Sequence, residues 1–152
     1  MEEMKNALVV VLVVASFYCH AQEPKDSGEE IIIEKVNQFF EALEMQDTTL
    51  FASLAYANAG IWTVRKQQES VRIGNRKYSD DTKHFDPKQI IYERALRFDI
   101  KIHHDIAVAW VPYTLHVNQK LSHCGVDVFT FLRTNEGWKI VNLTYSIEPD
   151  GC

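Results

Sequence analysis

The residues of this chain best suited to chemistry lie together in His123-Cys124-Gly125-Val126-Asp127. In an extended strand His123, Gly125 and Asp127 point to one side, Cys124 and Val126 to the other. An imidazole and a carboxylate on one face suit proton abstraction next to a carbonyl, or dehydration. Burial near Phe129 and Phe131 would raise the carboxyl pKa of Asp127 by desolvation, as a general base working near neutral pH requires. His123 would then polarise a carbonyl or carry a proton, with Tyr113 as the alternative oxyanion partner. The competing reading is structural: the same two side chains form a hydrogen-bonded polar pair within a sheet.

Hairpin arithmetic gives these residues neighbours. If Val117 pairs with Leu121, Leu115 lies opposite His123, Tyr113 opposite Gly125 and Val111 opposite Asp127. If Arg133 pairs with Trp138, Asp127 lies opposite Thr144 and Phe129 opposite Asn142. One face then gathers Tyr113, His123, Asp127, Asn142 and Thr144, and the other Trp110, Val126, Val128, Val141, Leu143 and Tyr145. A bulge would swap sides locally. The candidate ligand contacts are Tyr113, His123, Asp127, Thr144 and Asn142, with Trp62, Tyr92 and Trp110 as further aromatic walls. Gly125 would let a ligand or Tyr113 approach the backbone. His103, His104, His116, His123 and Cys124 lack the paired spacing of a zinc motif, and no glycine-rich phosphate loop occurs. No metal and no cofactor are expected.

The elements that must position this cluster are four long strands, Ile90–His103, Ile106–Val117, Ser122–Arg133 and Trp138–Ile147, joined by short turns. In the first, Tyr92, Leu96, Phe98, Ile100 and Ile102 share one face. Glu93, Arg97, Asp99, Lys101 and His103 share the other. Arg94 interrupts the apolar side: either a bulge turns it to solvent or it anchors an anion in a cavity.

Ahead of the strands, Ser27 and Glu30 form a capping box. Ile32, Val36, Phe39 and Leu43 then predict one apolar face on a helix from Glu29 to Met45. Asp47 is expected to cap a short second helix, and Tyr56–Gly60 to break it before a strand, Ile61–Lys66. Val71–Ile73 reads as a further strand turned by Gly74-Asn75. Ser79 is expected to cap a last short helix that ends before Asp86-Pro87.

At 152 residues, 46% hydrophobic and 24% charged, the chain has the length and composition of one folded domain. A net charge of -5 without a Lys/Arg stripe argues against nucleic acid as a partner. Ala7–Tyr18 is apolar except for Ser16 and too short to span a bilayer, which predicts a signal peptide over 1–21 rather than stable membrane insertion. Cleavage is expected near Ala21, with Met4 as initiator, since Met-Lys-Asn is a better leader start than Met-Glu-Glu. Lipid attachment at Cys19 is disfavoured by the bulky Tyr18 before it. Residues 22–27 form a polar tether, and 28–152 one domain. After export, Cys124 and Cys152 have two readings: a disulfide, or a buried Cys124 with a free terminal Cys152.

Helix, short helix, Leu54–Ala59, two strands, short helix and long meander resemble the nuclear transport factor 2-like superfamily. Arg94–Ile100, Ile106–Ala109, the His123–Asp127 block and Gly137-Trp138-Lys139-Ile140 resemble its lumazine-binding-like branch. The resemblance covers residues 28–149. It implies an α+β cone: a curved antiparallel sheet packed on a long N-terminal helix and short helices (a cystatin-like roll) around a pocket, often in dimers. It fixes no reaction. The expectation is therefore an exported domain that binds a small, partly apolar ligand. The alternatives are an isomerase- or dehydratase-type enzyme with Asp127 as base, and a homodimeric interaction module with a vestigial pocket.

Overall fold

The computed structural model describes residues 28–67, 69–86, 88–150 and 152. The expected leader, the tether and Ser27 of the capping box lie outside the described residues. Two helices come first, α1 (Gly28–Met45) and α2 (Thr48–Leu54), followed by strands β1 (Ala55–Gln67) and β2 (Ser70–Lys77). A 3-10 helix, Tyr78–His84, leads to β3 (Ile91–Ala95), β4 (Asp99–His103), β5 (Ile106–Val117), β6 (Lys120–Thr134) and β7 (Gly137–Ile147). Asp47 caps α2 through hydrogen bonds from the Thr49 and Leu50 amides, both 2.9 Å. Ser79 does not cap the 3-10 helix, which begins at Tyr78 with no side-chain cap.

The strands form one curved sheet in the order β2-β1-β7-β6-β5-β3, with β4 also paired to β5. All pairings are antiparallel except β1 with β7, which is parallel. The result is the expected α+β cone, with α1 on the concave side. Ala107, Ala109 and Val111 of β5 are fully buried, and their small side chains leave room for the helix. Ile32, Val36 and Phe39 of α1 fill that space. Phe39 meets Phe129 edge to face at 5.1 Å and Phe51 at 5.5 Å, and Phe51 stacks on Tyr78 at 4.2 Å. Each such ring contributes about 1.5–3 kcal/mol by burial.

Three expected elements differ. Gly74-Asn75 does not turn the chain; it continues β2, where Gly74 faces Thr63 and a Cβ would lie 2.6 Å from the Thr63 hydroxyl. Tyr56–Gly60 is not a break but part of β1, its register shifted between Ala55 and Gly60.

The expected Ile90–His103 strand divides into β3 and β4. Ala95 pairs with Tyr113 and Asp99 with Trp110, so one extra residue lies on this side of the ladder. Pro112 explains where the division falls. Its carbonyl accepts from the Leu96 amide at 2.8 Å, so its missing N–H faces the same flank and a continuous ladder would lack a donor there. The extra residue reverses the faces. Ile91 and Glu93 point inward, while Tyr92 and Arg94 turn outward, opposite to the alternation carried back from Ile100 and Ile102. Arg94 is thus turned out by the bulge.

Candidate functional site

The β5–β6 register is the expected one at the cluster: Leu115 faces His123, Tyr113 faces Gly125 and Val111 faces Asp127. It arises by another route. Asn118 and Gln119, both at positive φ, make a two-residue turn that pairs Val117 with Lys120 rather than Leu121. A bulge at Ser122 then restores the offset.

The β6–β7 register departs from expectation. Arg133 does pair with Trp138, but Val141 is an extra residue, because Phe131 faces Ile140 while Thr130 faces Asn142. Asp127 therefore lies opposite Tyr145, not Thr144, and Phe129 opposite Leu143, not Asn142. Leu143 and Tyr145 join the concave face. Asn142 and Thr144 move to the convex face, where they hydrogen-bond to each other at 3.0 Å. Trp62 and Trp110 also lie on the convex face, 44% and 47% exposed. Tyr92 sits outside against His116. None of these five lines the inner cavity.

That cavity has a volume of about 170 Å³. Phe39 and Leu43 of α1 cover it, and Ile91, Leu115, Leu143 and Ile147 supply apolar sheet walls. Tyr113, His123 and Asp127 are brought together here, with Glu93, Tyr145 and Asp81. The volume slightly exceeds a cavity that admits benzene, about 150 Å³, so it accepts one ring-sized group.

Glu93 is the functional-looking residue that the sequence reading placed on the wrong side. It is 9% exposed and Asp127 is 2% exposed, and the two share a hydrogen bond. Burial, and then the charge of Asp127, hold the Glu93 carboxyl well above its usual range, so it keeps its proton and donates it. Burial pushes Asp127 up to about 7, against the opposing effect of the Glu93 hydrogen bond. Among the described residues no N–H and no hydroxyl donates to either carboxyl apart from the proton the pair shares, and Asp127 Oδ2 is buried with no other partner.

The other polar groups are committed elsewhere. Tyr113 donates its hydroxyl to the Ser146 carbonyl at 2.8 Å. Burial, and then Glu93 and Asp127, hold its phenol protonated. It is therefore spent as a donor and is not free to serve an oxyanion. His123 does not pair with Asp127. Its Nδ1 lies 3.0 Å from the Ser122 hydroxyl, and its ring stands edge-on to Tyr113 at 5.9 Å. Burial, then the charge of Arg65, lower its pKa, so it is neutral near pH 7. A Cβ at Gly125 would collide with the Ser146 carbonyl oxygen, so the end of β7 approaches its backbone, and Tyr113, its partner across the ladder, donates to that same oxygen. At the opposite wall Arg76 holds Asp81 through two bonds and donates to the Tyr145 hydroxyl at 2.9 Å. This fixes the 3-10 helix beside the cavity.

Cys124 and Cys152 form a disulfide with a Cα separation of 5.7 Å. It fastens the C-terminal segment to β6 beside the Cys124–Glu148 bridge. Among the described residues no three His, Cys, Asp or Glu side chains are grouped to hold a metal ion, and no helix is long and apolar enough to cross a membrane.

A long helix over a curved, unclosed sheet with a one-sided inner cavity defines a nuclear transport factor 2-like, or cystatin-like, domain. Solved structures share it. A nuclear transport factor 2-like superfamily protein from Salmonella enterica serovar Typhimurium superposes with a TM-score of 0.64 at 18% identity, covering 82% of this chain and 93% of that one. A "putative dehydratase" of the same family from Streptomyces avermitilis gives 0.60 at 18% identity over 80% and 96%. A cystatin-like protein of unknown function from Nostoc punctiforme gives 0.62 at 11% identity over 80% and 92%. At these identities the likeness is one of fold. No curated protein matches the chain in sequence. Residues 27–146 match the family described as "Putative lumazine-binding", and the chain belongs to that family.

Proposed function

We propose that this domain binds a small, partly apolar molecule in the inner cavity and holds it through an N–H or O–H group donated to Asp127. One observation carries this reading: a buried carboxyl pair faces an apolar cavity, and among the described residues no donor satisfies it beyond the proton the pair shares. Buried acceptors without donors cost about 1–3 kcal/mol, and a ligand donor recovers that cost. Convergent polar groups in an apolar pocket are the usual form of a small-molecule site. The family description suggests lumazine, two fused rings with N–H donors, as the first ligand to test, with one of its rings in the cavity. Isothermal titration of lumazine into the wild type and Asp127→Asn is the test. Tight binding weakened at least tenfold by the substitution supports the reading, and equal affinity for both proteins refutes it.

A second reading is catalytic. A carboxyl pushed up to about 7 in a largely apolar pocket is poised as a general base, and the neighbour from Streptomyces avermitilis carries a dehydratase description. With Tyr113 committed to Ser146, neutral His123 is the remaining candidate to polarise a carbonyl. Turnover lost in Asp127→Asn while a neutral ligand stays bound would separate this reading from binding alone.

The domain also carries a surface suited to self-association. Trp62, Thr144, Val128 and Trp110 form one cross-strand row over four adjacent strands of the convex face. Half-exposed tryptophans on such a face are typical of interface cores. A homodimer through this face predicts that Trp110→Glu yields monomer in sedimentation velocity. Wild type that is already monomeric at the same concentration would exclude it. Export with removal of residues 1–21 near Ala21 belongs to the same proposal. An oxidising compartment suits the Cys124–Cys152 bond, and mass analysis of the cell-derived protein checks it.

A further inference from the structure

Beside the inner cavity, on the same concave face, lies an open groove of about 380 Å³ lined by Thr63, Arg65, Gln67, Arg72, Gly74 and Ile147. Ile147 is a wall of both spaces, so the groove and the cavity adjoin. Arg65 and Arg72 face each other directly across the β1–β2 ladder. Like charges in that relation destabilise a sheet. Among the described residues neither guanidinium has a hydrogen bond or ion pair, in contrast with Arg76, which sits further along the same face of β2 and is held by Asp81. Gly74, which faces Thr63 on a neighbouring rung, adds no side chain to the groove. Arg65 also reaches the cavity electrostatically, because its charge helps to lower the pKa of His123 on the cavity wall. Glu148 lies beyond Ile147, and its Oε1 accepts from the Ser146 hydroxyl rather than from either arginine.

We infer that Arg65 and Arg72 form an anion subsite, and that the ligand of this domain is an amphiphilic acid. Its ring enters the Asp127 cavity, and its carboxylate or phosphate rests on the two guanidinium groups. The inference rests on the cavity reading above for the ring and on the arginine pair for the acid. Guanidinium groups suit both anions because their planar forks match the oxygens bidentately. An anion between them also removes the cross-strand repulsion.

The test is isothermal titration of the disulfide-bonded protein with indole-3-acetate, its uncharged analogue indole-3-acetamide, phenyl phosphate and inorganic phosphate. Wild type, Arg65→Gln/Arg72→Gln and Asp127→Asn are compared. The acid is expected to bind wild type at least tenfold more tightly than the amide. In Arg65→Gln/Arg72→Gln that preference should vanish, with amide affinity unchanged and a thermal midpoint equal to or above wild type. The stronger of indole-3-acetate and phenyl phosphate identifies the anion, and its binding should weaken with added salt. In NMR titration His123 should shift to higher pKa in Arg65→Gln and also on anion binding to wild type. Equal affinity for acid and amide, an acid preference that survives the double substitution, or no binding of any anion overturns the inference. If Asp127→Asn leaves ring binding unchanged while the double substitution still abolishes the acid preference, the cavity reading fails and the anion subsite stands.

Discussion

Replacing Glu93 by Gln tests the carboxyl pair without a ligand. In the folded protein the Asp127 carboxyl is pushed from 3.8 up to about 7, and Glu93 is held well above its usual range. In the unfolded chain both titrate near 4. From about pH 4 upward the folded state therefore binds more protons than the unfolded one, and stability falls as pH rises. The contribution is fully present below pH 4 and is lost as pH passes through the folded values. At 1.36 kcal/mol per pH unit, Asp127 alone accounts for about 4 kcal/mol between pH 4 and 7. A glutamine at position 93 donates an N–H to Asp127 at every pH and so stabilises the carboxylate. The variant should lose the share of the slope that Glu93 contributes and keep the share from Asp127, which burial sets, so its stability should fall less steeply towards pH 8. Urea unfolding from pH 4.5 to 8.5 measures this, and the difference between the two proteins cancels carboxylates elsewhere. Parallel stability curves, or a wild type that becomes more stable across this range, would refute the shared-proton account.

Two further outcomes follow from the same geometry. Gly125→Ala should destabilise by about 3 kcal/mol or more, because the new methyl meets the Ser146 backbone oxygen and cannot be relieved by a side-chain rotation; chemical denaturation measures it, and a loss below about 1 kcal/mol contradicts the contact. Reducing the Cys124–Cys152 bond, which closes a loop across a sequence separation of 28, should cost about 3–4 kcal/mol. A thermal midpoint unchanged by reductant would count against that bond.

Most of the scaffold was legible because it is written in periodicity. The α1 stripe, the α2 cap and the strands of the meander follow from spacing and turn chemistry. The β5–β6 alignment of Tyr113, His123 and Asp127 also emerged, although the predicted turn was one residue longer and the bulge that compensates was unseen. The errors at Glu93, Tyr92, Asn142, Thr144 and Tyr145 share one cause: a single extra residue inverts every side chain beyond it. Val141 sent Asn142 and Thr144 outward and brought Tyr145 in. The residue added between Ala95 and Asp99 brought Glu93 in and sent Tyr92 out. Two signals for the second shift were present, Arg94 on an otherwise apolar face and Pro112 on the facing strand. For Val141 no comparable signal stands in the sequence. The parallel pairing of β1 with β7 joins distant segments, and local pattern does not report it.

That pairing governs how the molecule comes into being. β7 is the latest strand in the chain, yet it lies in the interior of the sheet, between β1 and β6. Until it is inserted, β1–β2 and β3–β6 are separate pieces, each with an unpaired edge. Completion depends on contacts between residues some 80 positions apart, such as Ile61 with Leu143, which makes the closing step slow. A chain emerging from its N-terminal end would present two sticky edges until its last strand arrived, an aggregation hazard that chaperones handle. Truncation before Gly137 should therefore abolish assembly of the sheet rather than trim it.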